Sequence, residues 1–279
     1  MSTPLALISP AMAVPSRYYH RLVDAFAAVG WTAVILPRRG IDPDDTAPSR
    51  ARDWSYADEA DDLLAELARL RAADPHRPIV VVGHSLGAQL FVAAARRADA
   101  DLPDGFVAIA ASVPWFRHYA GVGVVEYAMA AAVPVVTGAL GYWPRPGFGA
   151  PAARTLMREW ARMVRRGHTP FPAGEPVRLP TLAVRLAGDR LVTTAAAEHF
   201  ESCIDPESLT TWTYTTDRCP PDGSVDHVRW VRTPAPVVNR IVTWWAGQSD
   251  DGESRERARR NVSTSAATMP TAATPIIDA

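Results

Sequence analysis

The chain has 279 residues, a formal net charge of −1 and 48% hydrophobic residues. That suffices for one large core, or for a core with an inserted subdomain. The near-neutral balance gives no overall bias toward nucleic acid or an anionic membrane. Arginine carries all the positive charge, because the sequence contains no lysine. The two cysteines, Cys203 and Cys219, lack metal-ligand spacing and read as free thiols in a reducing, cytoplasmic compartment. No cofactor or metal is expected. Met1–Pro4 carries no basic residue ahead of the short apolar run Leu5–Ile8, so no secretory leader is expected.

Leu5 to Ile8 reads as a short buried strand. Ser16 is expected to cap a helix whose Tyr19, Leu22, Val23 and Phe26 share one face, ended by Gly30. Thr32 to Leu36 is a second strand, followed by a polar, proline-containing loop from Pro37 to Arg52. Ser55 and Asp58 form a capping-box pattern ahead of a stripe of Ala60, Leu63, Leu64, Leu67 and Leu70. Ile79 to Val82 is a third strand, and Leu86 to Ala98 a helix. Phe106 to Ala111 is a fourth strand. From about Ser112 to Val177 the alternation stops, and aromatics, prolines and glycines take over: Trp115, Phe116, Tyr119, Tyr142, Trp143, Phe148, Trp160. Within it, Gly121 to Leu140 is long and apolar, but Glu126 and Pro134 interrupt it. A buried helical pair is expected there rather than a membrane span. Thr181 to Ala187 resumes as strand, Thr194 to Cys203 as helix, Thr210 to Thr215 as strand and Pro234 to Trp245 as helix.

Alternating strands and helices with continuous apolar strands mean an α/β fold, a mostly parallel, doubly wound sheet. The expected division is a core of 1–111 and 178–246, a mainly helical cap of 112–177 over the sheet's carboxyl edge, and a disordered tail of 247–279. The Asn261-Val262-Ser263 match to a glycosylation acceptor carries no weight without a secretory route.

One short segment carries most of the chemistry. Gly83-His84-Ser85-Leu86-Gly87 falls between a buried strand and a helix, the setting of a nucleophile elbow. A neutral serine hydroxyl needs a base, and the base needs an orienting acid. Asp189, just past the strand ending at Ala187, is the best acid; Asp205, Asp217 and Asp222 follow no strand in the equivalent place. His227 is the best base. His20, His76 and His84 lie too early, His118 and His168 fall in the insertion, and His199 sits in a helix with no strand between it and Asp189. Donors for a developing oxyanion are expected from the N–H of Leu86 and of Met12, with Ala11 beside it. Substrate contacts are expected from Ala11, His84, Trp115, Tyr142 and Trp143.

With these residues in place, the chain resembles the α/β-hydrolase superfamily over roughly Leu5 to Trp245. It is most similar to a group of bacterial α/β-hydrolases, serine esterase or aminopeptidase-like, of unassigned substrate. The resemblance rests on Ser9-Pro10-Ala11-Met12-Ala13-Val14-Pro15-Ser16-Arg17-Tyr18-Tyr19, on Arg39-Gly40-Ile41, on Trp54 to Asp58 and on the elbow through Ala88-Gln89. It extends to Leu140-Gly141-Tyr142-Trp143-Pro144 with Trp160, and to His227-Val228-Arg229-Trp230-Val231-Arg232. Departures occur at Ala88, where the group has glycine, after Ile41, where it has Gly and Ser, and in the histidine segment, which lacks two phenylalanines. The resemblance implies ester hydrolysis through an acyl-enzyme, on a small molecule with a hydrophobic portion. A thioesterase acting on a carrier protein or CoA, and a non-catalytic ligand-binding protein of the same fold, are the alternatives. No nucleic-acid partner and no stable membrane insertion are expected, and the oligomeric state is open.

Overall fold

A computed structural model describes residues 3–42, 45–97, 101–145 and 149–248. It divides into two units, Met1–Ile241 and Val242–Ala279. In the second unit, residues 242–248 are helical, including the first two positions of the tail expected at 247–279. Its remainder, Asn261 included, lies outside the described residues, as do Ala98 and Phe148.

The first unit is built on six parallel strands: β1 Leu5–Ser9, β2 Thr32–Ile35, β3 Ile79–His84, β4 Gly105–Ile109, β7 Thr181–Leu186 and β8 Leu209–Tyr214. Their order is β2-β1-β3-β4-β7-β8. Register runs evenly across the centre, with Ile8 beside Val82 and Val82 beside Val107. Every residue of β1, β3 and β4 is buried, whereas the edge strand β2 is partly open. Strands buried on both faces explain why the sequence shows unbroken apolar runs there rather than alternation.

Helices α1 His20–Ala28, α2 Tyr56–Ala73, α3 Leu86–Ala95 and α6 Thr194–Glu201 accompany this sheet. The Ser55–Asp58 capping box is formed as expected. The Ser16 expectation needs correcting. Ser16 opens a 3-10 turn, Ser16–Tyr19, and makes no cap bond to it. Its hydroxyl and its N–H both go to the Asp42 carboxylate, which ties this turn to the loop after β2.

Between β4 and β7 lie α4 Gly123–Leu140, the short antiparallel pair β5 Tyr142–Trp143 and β6 Ala152–Ala153, and α5 Arg154–Arg166. The buried helical pair expected at 121–140 is instead one helix. Only Gly123, Ala130, Val133 and Thr137 of α4 are buried. By length and composition it is the one helix among the described residues that could cross a membrane, a test that soluble core helices also pass.

The strand order locates the site before any side chain is considered. The chain leaves β1 for β2 on one side and returns to β3 on the other. The carboxyl ends of β1 and β3 therefore diverge, and the crevice between them is the usual ligand position of an open α/β sheet. The loop after β1 and the turn after β3 meet there.

Candidate active site

The turn after β3 is a strained one. Ser85 has φ 52° and ψ −113°, a conformation that costs a non-glycine residue energy. Its N–H is held by the Ile109 carbonyl of β4 at 2.9 Å. Ser85 is half-buried while its chain neighbours His84 and Leu86 are buried, so the turn pushes one hydroxyl outward. The flanking glycines are required by contact. A Cβ on Gly83 would lie 2.6 Å from the Ala88 backbone, and one on Gly87 only 1.9 Å from the Ser9 carbonyl oxygen. Gly83 thus lets α3 fold back on its own strand. Gly87 lets α3 press against the end of β1.

His227 Nε2 stands 3.1 Å from Ser85 Oγ, and His227 Nδ1 stands 2.6 Å from Asp189 Oδ2. These residues come from the ends of β3 and β7 and from the loop after β8. A carboxylate only accepts, so Nδ1 carries the proton and Nε2 presents its lone pair to the serine hydroxyl. Asp189 is almost fully enclosed, its side chain 2% exposed. Its other oxygen, Oδ1, accepts the N–H groups of Leu191 and Val192 at 2.7 and 3.0 Å. Asp226, next to His227, accepts the N–H groups of Val228 and Arg229 and shapes the loop instead.

The loop after β1 is a turn closed by the Val14 N–H on the Ala11 carbonyl. Ala13 within it has φ 59°. Ala11, Met12, Ala13 and Leu86 all line the cavity that Ser85 and His227 enter. This cavity holds about 420 Å³. Its further walls include Met129 of α4, Trp160 of α5, and Leu191, Val192 and Val228 from the loops after β7 and β8. Gln89, Tyr119 and Glu126 supply its polar groups. Gln89 donates to the Ser112 carbonyl at 2.7 Å and accepts from the Tyr56 hydroxyl at 3.0 Å. The Tyr119 hydroxyl donates to the Leu191 carbonyl at 2.9 Å, pinning the loop that carries Asp189.

Of the five residues expected to contact substrate, Ala11 lines the cavity and four do not. Trp115 packs against Gly167 and His118, with Arg117 over its ring. Tyr142 and Trp143 are held in β5 against β6, and Trp143 is buried. His84 is buried beneath the elbow, 1% exposed. Successive residues of β3 point to opposite faces, so His84, one position before Ser85, turns away from the cavity.

His84 has a different set of partners. The Ala11 N–H donates to the Tyr19 hydroxyl oxygen at 2.8 Å. That hydroxyl stands 2.8 Å from His84 Nδ1, and His84 Nε2 stands 2.8 Å from the His227 main-chain carbonyl. A carbonyl only accepts, so Nε2 carries the proton and Nδ1 accepts from Tyr19. The result is a relay from the loop after β1, through a neutral imidazole, to the backbone of His227. Burial above all, then the neighbouring His227, holds the His84 pKa down to about 3. Neither Tyr19 nor this use of His84 was visible in the sequence. The only signal was the aromatic pair Tyr18-Tyr19 near the loop after β1.

A family model described as serine aminopeptidase, S33, matches residues 5–141. No curated protein matches the sequence. Among solved structures, the chain is similar to the non-heme bromoperoxidase BpoC of Mycobacterium tuberculosis H37Rv, with a TM-score of 0.58 and 15% identity over 88% of this chain and 93% of that one. It is similar to the type II thioesterase BorB of the borrelidin biosynthetic cluster, with a TM-score of 0.53 and 19% identity over 87% and 91%. It is also similar to a structure of the metagenome-derived lipolytic enzymes LipS and LipT, with a TM-score of 0.55 and 17% identity over 87% and 93%. At these identities the solved structures speak for the fold alone. Six-stranded parallel sheet, elbow and family model agree: the chain belongs to the α/β-hydrolase superfamily.

Proposed function

We propose that the protein is a serine hydrolase that cleaves a carboxylic ester through an acyl-enzyme. One observation carries this reading: the unbroken chain from Ser85 Oγ to His227 Nε2 at 3.1 Å and from His227 Nδ1 to Asp189 at 2.6 Å. His227 Nε2 takes the Ser85 proton as Oγ bonds to the carbonyl carbon. The carbonyl electron pair moves onto oxygen. Backbone N–H groups of Leu86 and Met12 stabilise that oxyanion, Leu86 with the added field of the α3 N-terminus. Collapse expels the alkoxide, which takes the proton from His227. Water then repeats the sequence on the acyl-enzyme and releases the acid. Asp189 holds the imidazole in the tautomer that both steps need.

Residues between β4 and β7 serve as a cap over this site. The apolar walls from Met129, Trp160, Leu191 and Val192 fit a hydrophobic acyl or alcohol group. A serine at the elbow, where haloalkane dehalogenases and epoxide hydrolases use aspartate, supports acyl transfer.

The test is turnover of a series of p-nitrophenyl esters beside matched acyl-CoA thioesters. Hydrolysis of medium-chain oxygen esters that Ser85→Ala abolishes is expected. A strong preference for the thioesters would move the assignment to a thioesterase. Tight ligand binding with no turnover of either series would make the protein a binding module.

A further inference from the structure

The whole-chain charge balance conceals a local asymmetry around α4. This 18-residue helix carries one formal charge, Glu126, on the side that faces the cavity. Residues in a helix advance by roughly 100°, so Val124, Ala128, Val135 and Ala139 form one row along the opposite side. The row is bare: Val124 and Val135 are each 74% exposed, and Val125 beside it is 69% exposed. An outward ridge of aliphatic side chains is not needed by the core and is unusual on a monomer's surface.

One flank of the ridge is strongly basic. Arg158, Arg162, Arg165 and Arg166 of α5, with Pro134 of α4, line a surface groove of about 440 Å³. Arg158 donates to the Thr137 hydroxyl at 3.0 Å, and Arg165 lies over the Tyr127 ring. Among the described residues no ion pair joins any of the four to a carboxylate. Arg154, at the start of the same helix, does have one, to Asp53 at 3.0 Å. The single acid of α5, Glu159, accepts the Tyr56 N–H at 2.8 Å instead. The cavity wall, with Met129 and Glu126, lies across the helix from the ridge.

We infer that this face docks on an anionic lipid surface. The ridge enters the boundary between headgroups and acyl chains, and the arginine row meets the lipid phosphates. Peripheral attachment needs these two signals together, apolar burial and basic charge. The composition favours lipid over a protein partner. Protein interfaces draw their energy from Trp, Tyr and Arg seated in pockets, while valine is under-represented among such anchors. A second copy docked by this same face would set arginine row against arginine row, because Glu126 faces the cavity.

The experiment is co-sedimentation of the full chain with vesicles of phosphatidylcholine alone, or mixed with phosphatidylglycerol. Wild type should bind the anionic vesicles and leave them as salt rises from about 0.05 to about 0.5 M. The double variant Val124→Asp/Val135→Asp should lose about tenfold or more in affinity. Arg162→Gln/Arg166→Gln should lose the preference for anionic over neutral vesicles. All four positions are at the surface, and unchanged circular dichroism would show that the variants fold. Ser85→Ala should bind as wild type does, which separates this inference from the proposed activity. Absence of wild-type binding to anionic vesicles would overturn it, as would binding that the ridge variants leave intact. So would a wild-type dimer in sedimentation velocity that Val124→Asp/Val135→Asp dissolves, with no vesicle binding.

Discussion

The ring of His84 donates from Nε2 to the main-chain carbonyl oxygen of His227 at 2.8 Å. The residue before Ser85 thus holds the backbone of the residue proposed as the base, although 143 positions separate them in the chain. Tyr19 fixes the tautomer that allows this, and Tyr19 in turn is fixed by the Ala11 N–H in the loop proposed to hold the oxyanion. The elbow, His227 and the loop after β1 are therefore tied by one buried relay rather than positioned independently.

Removing the hydroxyl of Tyr19 should loosen this tie without opening a cavity. Tyr19→Phe is expected to lower kcat by about tenfold with little change in KM, because positioning affects the transition state more than ground-state binding. His84→Asn, which keeps a donor, should fall less than His84→Leu, which keeps none. Steady-state kinetics on the ester that the wild type turns over best measures both. Equal losses for Asn and Leu would assign His84 to packing alone.

His84 also makes stability depend on pH. Its folded pKa is about 3, below the 6.5 of a free imidazole, because burial disfavours the cation. The unfolded chain therefore binds one more proton between those values. The contribution is fully present above about pH 6.5 and is lost as pH falls toward 3, by about 1.4 kcal/mol per pH unit. Urea denaturation from pH 7 to pH 4.5 should show a slope shallower by about that amount in His84→Asn than in wild type. Parallel slopes would mean that His84 titrates normally in the folded protein.

Gly87 is a steric requirement of the site. A methyl there meets the Ser9 and Pro10 carbonyl oxygens at 1.9 and 2.9 Å, and both belong to backbone. Gly87→Ala should cost about 3 kcal/mol, and should displace Leu86 and the loop after β1 together. Thermal unfolding and ester turnover should fall in parallel.

Beneath the loop after β2, Arg38 and Glu59 form an ion pair at 2.6 Å, both side chains about 95% enclosed. Trp54 donates to the same carboxylate at 2.9 Å. Glu59→Ala leaves the guanidinium buried without its partner, and should destabilise by about 3 to 5 kcal/mol. Denaturant midpoints of Glu59→Ala and of Arg38→Met/Glu59→Leu compare the two cases; the double variant should recover much of the loss.

Much of the frame could be read from residue order alone. Strands β1, β3 and β4 are buried on both faces, so their sequences are continuously apolar and hard to miss. Ser85, Asp189 and His227 stand out because each follows a strand, and chain order excludes most rivals. The cavity walls were less legible. Trp115, Tyr142 and Trp143 are aromatic residues in the right segment, but their rings are taken up by neighbours such as Gly167 and β6. Ser16 looked like a helix cap, yet its hydroxyl finds Asp42, 26 residues away. The Tyr19–His84 contact spans 65 residues, and no local pattern encodes it. The apolar sequence of α4 predicts burial, yet most of the helix is exposed, because hydrophobicity shows that a surface seeks cover without showing which cover it finds.

If His227 activates Ser85 as a nucleophile, the hydroxyl reacts with an electrophile at a rate set by that imidazole. Incubation with a fluorophosphonate probe, followed by mass spectrometry of the digested protein, tests it most directly. One phosphonyl adduct is expected, on Ser85, formed about 10³-fold or more slowly in His227→Ala. An adduct on another residue, or equally fast labelling of Ser85 in His227→Ala, would contradict it.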